Sequence, residues 1–110
     1  MLVQIEAEMR MARQSRARGN EGQARVCARR AAGLAIQIYR KRSGNADRPV
    51  SAYGLLRWLA SVPGVEDGLR ASAERLAMRV TPDHVLPHPQ DPLADAMFLI
   101  QGLADWKPAI

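Results

Sequence analysis

The run Arg79-Val80-Thr81-Pro82-Asp83-His84 holds the two side chains with the strongest claim to chemistry, Arg79 and His84. A histidine takes or gives a proton near neutral pH. A guanidinium stabilises charge building on a phosphorane-like transition state. Together they could cut RNA without a metal, with the 2′-hydroxyl as internal nucleophile. The plainer alternative is that Arg79 caps helix carbonyls or pairs with Asp83, and His84 faces solvent. His84 and His88 lie four apart, with Asp83 and Asp91 close by in sequence. Two histidines and a carboxylate can bind a transition metal. Pro82, Pro87 and Pro89 break the helical register that would align these groups, however, so exposed loop histidines and no metal are expected. There is no glycine-rich phosphate loop and no HExxH, so no cofactor is expected. The single cysteine, Cys27, rules out a disulfide framework and is expected to pack as a small hydrophobe.

Charge is distributed unevenly. Residues 1–42 carry ten basic and three acidic side chains, and residues 43–110 carry six basic and eight acidic. Arginine meets phosphate through a planar fork, so Arg25, Arg29, Arg30, Arg40, Lys41 and Arg42 are candidate RNA or phosphate contacts. A solvated helix face, or a surface that docks an acidic protein, would carry the same run.

Five helical segments could position these groups. The first covers about 2–17, with Leu2, Ile5, Met9 and Ala12 on one stripe. Gly19-Asn20 ends it, and Asn20 with Gln23 reads as a capping box for the second helix. That helix covers about 21–42, with Val26, Cys27, Ala31, Leu34, Ala35, Ile38 and Tyr39 as its apolar face. Ala28, Ala32 and Gly33 would let a neighbour approach closely, and the basic residues lie largely off this face or at its end. Ser51 can cap a short third helix over 52–61, ended by Pro63-Gly64. The fourth, over 66–79, stripes Leu69, Ala73, Leu76 and Ala77 and stops before Pro82. Asp91-Pro92 opens the fifth, over 92–105, with Leu93, Ala96, Met97, Ile100 and Leu103 inward. The expected architecture is one all-α domain over residues 1–110, an antiparallel four-helix up-down bundle with an additional short helix.

Composition agrees with that class. The chain of 110 residues is 47% hydrophobic and 25% charged, values of a globular chain rather than a disordered one. Only 5% of it is aromatic, which favours helices over sheets. No run of 18 apolar residues occurs, so no membrane span is expected. The start MLVQIEAEMRMAR does not read as a signal peptide, and the cytoplasm is the expected compartment.

Taken in order, the elements resemble the HEPN family. The likeness rests on the Ala-rich helix Gln23-Ala24-Arg25-Val26-Cys27-Ala28-Arg29-Arg30-Ala31-Ala32 and the short helix Ser51-Ala52-Tyr53-Gly54-Leu55-Leu56-Arg57-Trp58-Leu59. It rests also on the ending Arg79-Val80-Thr81-Pro82-Asp83 and on the final helix opening at Asp91-Pro92-Leu93-Ala94-Asp95-Ala96. The resemblance implies a small helical module that forms homodimers. Such modules bind a nucleotidyltransferase-type partner, a nucleotide or RNA, or act as RNA-directed toxins in toxin–antitoxin pairs. It also implies a possible metal-independent RNase pair, because Arg79 and His84 match the family's spacing of four to six residues. Val80 departs from the polar residue common after that arginine, and Arg29 and Arg30 stand where many members carry an acid.

Overall fold

The helices begin and end where local chemistry changes. In the computed structural model, which describes residues 2–42, 44, 51–79 and 86–105, they are α1 (Leu2–Ala17), α2 (Glu21–Arg42), α3 (Ala52–Ser61), α4 (Asp67–Ala77) and α5 (Pro92–Asp105). No strand occurs among the described residues. Gly19 adopts φ +81°, the left-handed conformation that turns the chain out of α1. Asn20 then starts α2, its side chain accepting from the Gln23 N–H at 3.1 Å. Only half of the expected capping box forms, because the Asn20 N–H already donates to the Ser15 oxygen at 2.8 Å, and the Gln23 amide donates instead to Cys27 Sγ at 3.5 Å. Ser51 caps α3 by accepting from the Gly54 N–H at 3.1 Å. Asp91 caps α5 by accepting from the Leu93 N–H at 3.1 Å.

α2 is the organising element. It packs against α1, α3 and α5, while α4 packs against α3 and α5, so α2, α3, α4 and α5 close a ring of contacts. α1 lies on α2 and touches α5. A helix with neighbours on three sides needs small residues on those sides. Ala24, Cys27, Ala28, Ala31, Ala32, Ala35, Ile36 and Tyr39 of α2 are accordingly buried. Gly33 meets the start of α3 so closely that a Cβ there would lie 3.0 Å from that of Ala52.

This corrects the expected face of α2. Leu34, Ile38 and Val26 are only half-buried, and Ile36 is fully buried in their place. In α5, Leu99 is buried, whereas Met97 and Ile100 lie partly exposed beside it. Leu2, expected on the apolar stripe of α1, is 70% exposed. α4 ends at Ala77, two residues short of Arg79.

Candidate cationic site at the end of α4

The C-terminal end of α4 leaves carbonyls without helical partners. Arg29 of α2 reaches them, donating from Nε to the Leu76 oxygen at 2.9 Å and from Nη2 to the Met78 oxygen at 3.4 Å. Cations suit this end of a helix dipole. Arg29 therefore does the capping that the alternative reading gave to Arg79. Arg70 does the same for α3, donating to the oxygens of Ala60 and Val62 at 3.2 Å each.

Arg29 is nonetheless in crowded company. Burial, then the like charges of Arg79 and Arg25, push it below the ordinary arginine value. Arg25, Arg29 and Arg79 thus gather where α2 passes the end of α4. Arg79 itself is exposed. Arg25 makes no side-chain hydrogen bond or ion pair among the described residues. A recess of about 10 Å³ opens beside them, lined by Arg25, Arg29, Arg75 and His88 together with Leu86 and Pro92.

Two members of this group escaped the sequence reading. His88, expected to be an exposed loop histidine, is half-buried, and both ring nitrogens are buried without a hydrogen-bond partner. The flanking Pro87 and Pro89, which restrict the backbone on both sides, were the available signal. Arg75 lines the recess while bound to Asp95, with Nη2 at 2.7 Å from Oδ1 and Nε at 2.9 Å from Oδ2. The hydrogen bonds to Asp95 hold Arg75 above the usual arginine value.

The other candidate cations are not brought here. Arg30 is exposed on α2. Arg40 is buried, at 8% exposure, with its guanidinium 5.1 Å from the Trp58 ring centroid. Trp58 also tilts against Tyr39 at 6.0 Å, so its ring is engaged in packing. Lys41 and Arg42 are exposed at the far end of α2, some 16 residues from Arg25, which at helical rise is about 24 Å. Cys27 is fully buried. His84 lies outside the described residues, as do Val80, Asp83 and Trp106. Among the described residues no group of three His, Cys, Asp or Glu side chains could hold a metal ion.

A groove of about 430 Å³ between α3 and α4 is the roomier recess, lined by Arg57, Ala60, Ser61, Glu74, Ala77 and Met78. It brings one cation and one carboxylate to a largely small-residue wall, and gathers no charge of one sign.

The site is therefore a cationic surface on an all-α fold, with five helices among the described residues. No helix is long and apolar enough to cross a membrane among the described residues. The chain matches no protein-family model, no curated protein and no solved structure.

Proposed function

We propose that the chain is a HEPN-like helical module that binds RNA through the phosphate backbone. Arg25, Arg29 and Arg79 form the primary contact. The observation that carries this reading is the convergence of Arg25 and Arg29 on one recess at the end of α4, with the like charges of Arg79 and Arg25 acting on the half-buried Arg29. Repulsion of that kind is relieved when a polyanion shares the three guanidiniums. The fold that serves it is an up-down bundle, a reading supported by the short α1–α2 turn and by the ring of contacts through α2, α3, α4 and α5. Exposed Leu2 and Val3, at 70% and 77%, offer apolar surface for a homodimer or for a nucleotidyltransferase-type partner. A lone buried cysteine suits a cytoplasmic setting.

The test is fluorescence anisotropy with labelled single-stranded RNA across a salt series. Three phosphate contacts give a log–log slope of about −2, so raising salt fourfold weakens binding roughly 16-fold. Replacing Arg25 and Arg79 together with alanine should remove most of that slope. The pair Lys41→Ala and Arg42→Ala should leave it. No binding at low ionic strength would refute the reading. A metal-independent RNase using Arg79 and His84 is the second reading, favoured by the exposure of Arg79 beside the cluster. It requires cleavage of RNA but not DNA in the presence of a chelator, abolished by His84→Ala.

A further inference from the structure

α3 packs on α2, α4 packs on α5, and the two pack on each other. The groove of about 430 Å³ between them opens to solvent, since Arg57, Ser61, Glu74 and Met78 in its lining are all exposed. Arg57 belongs to α3 and Glu74 to α4, and neither makes a hydrogen bond or ion pair among the described residues. The groove thus holds one charge of each sign, one on each helix, with neither spent inside the chain. Ala60 and Ala77 beside them are small. Tyr53, four residues before Arg57 and therefore on the same side of α3, is 46% exposed, and Met78 is 42% exposed. A small ligand would gain little burial against a lining so exposed. A macromolecular occupant has to present an acid to Arg57 and a base to Glu74.

A second copy of the chain meets that demand by symmetry. A two-fold axis brings residue i of one copy to residue j of the other, and j to i. We propose that two copies pair through α3 and α4 about such an axis. Arg57 then faces Glu74 of the partner subunit, and Glu74 faces Arg57 of the partner subunit, so one complementarity is used twice. Met78, an unbranched and adaptable side chain, enters the room over the partner's Ala60. Ion pairs of this exposure fix register and exclude wrong pairings, and the apolar surface of Tyr53 and Met78 supplies most of the affinity. Helices of 10 and 11 residues are about 15 Å long, so the face is small and the Kd lies in the micromolar range. The inference rests on the homodimer reading and gives it a surface other than Leu2 and Val3. It does not rest on RNA binding.

The experiment is sedimentation velocity of the full chain from low to high micromolar concentration. Wild type should pass from 12.1 kDa to about twice that mass. Arg57→Glu and Glu74→Arg should each weaken the dimer at least about tenfold, because each turns two attractions into two repulsions. Both residues are exposed, so both variants should melt near wild type. An equimolar mixture of the two variants should dimerise again, since one then carries two acids in its groove and the other two bases. Leu2→Glu with Val3→Glu should leave pairing unchanged. Wild type that stays at 12.1 kDa throughout would overturn this face and the homodimer together. Loss of the dimer in Leu2→Glu with Val3→Glu, while both charge variants pair as tightly as wild type, would overturn this face and keep the homodimer. A mixture that stays monomeric would also overturn the face, because loss without rescue is not charge pairing.

Discussion

Replacing Asp95 by alanine tests how α4 is fastened to α5. The Asp95 side chain is 7% exposed and faces Arg75, whose side chain is 23% exposed, at 2.7 Å. Ser72 Oγ donates to the same carboxylate at 3.4 Å. Deleting the carboxylate leaves a guanidinium and a hydroxyl desolvated without their acceptor. Removing one partner of a buried pair costs about 3–5 kcal/mol. Arg75 keeps some access to water, so the low end applies, about 3 kcal/mol. At roughly 4 °C per kcal/mol for a chain of this size, Tm should fall by about 12 °C. Urea melts followed by circular dichroism would measure it. A double-mutant cycle with Arg75→Met should return a coupling above about 1.5 kcal/mol, because the double variant removes both charges together. A loss below about 1 kcal/mol for Asp95→Ala, or a coupling near zero, would refute the burial argument.

Three further outcomes follow from packing and charge. Arg16 donates to Asp91 at 2.7 Å and also pairs with Glu21, and its hydrogen bond holds the Asp91 carboxyl below the usual carboxylate range. Stability from Asp91 is thus present above the unfolded carboxylate pKa of about 3.9 and is lost as pH falls through the lowered folded value. Arg16→Ala should flatten the acid limb of a urea-midpoint profile. Gly33→Ala should destabilise by roughly 1 kcal/mol, since overpacking against the α3 backbone outweighs the helix-propensity gain; a rise in Tm would contradict the close α2–α3 approach. Ile36→Ala should cost roughly 3 kcal/mol and exceed Leu34→Ala, and the reverse order in urea melts would restore the face expected from sequence.

The helix limits were legible because caps are local. Asn20, Ser51 and Asp91 each accept a backbone N–H within three residues, and that chemistry is written in adjacent positions. The buried face of α2 was not. A stripe search weights bulky residues, and it selected Val26, Leu34 and Ile38. The helix is enclosed on three sides, so its alanines take the core and its larger side chains move to the rim. The arginine partners were equally hidden. Arg16 meets Asp91 across 75 residues and Arg29 meets Leu76 across 47. With arginine so frequent, nothing in spacing says which guanidinium reaches which acceptor. His88 was missed for a related reason: a Pro-rich loop reads as exposed until another element covers it.

At the end of α4, holding the fold and gathering charge fall to the same side chain. Arg29 is attracted by the helix carbonyls it caps and repelled by Arg25 and Arg79. An anion placed among the three turns that repulsion into shared attraction and leaves the caps in place. Ligand binding and the firmness of the α4 terminus are then linked, because whatever binds the assembled end stabilises it over the frayed one. Arg29→Ala is for that reason a poor probe of binding, since it releases the Leu76 and Met78 carbonyls along with the charge. Arg25→Gln removes charge alone, and so separates electrostatic attraction from the integrity of the helix end.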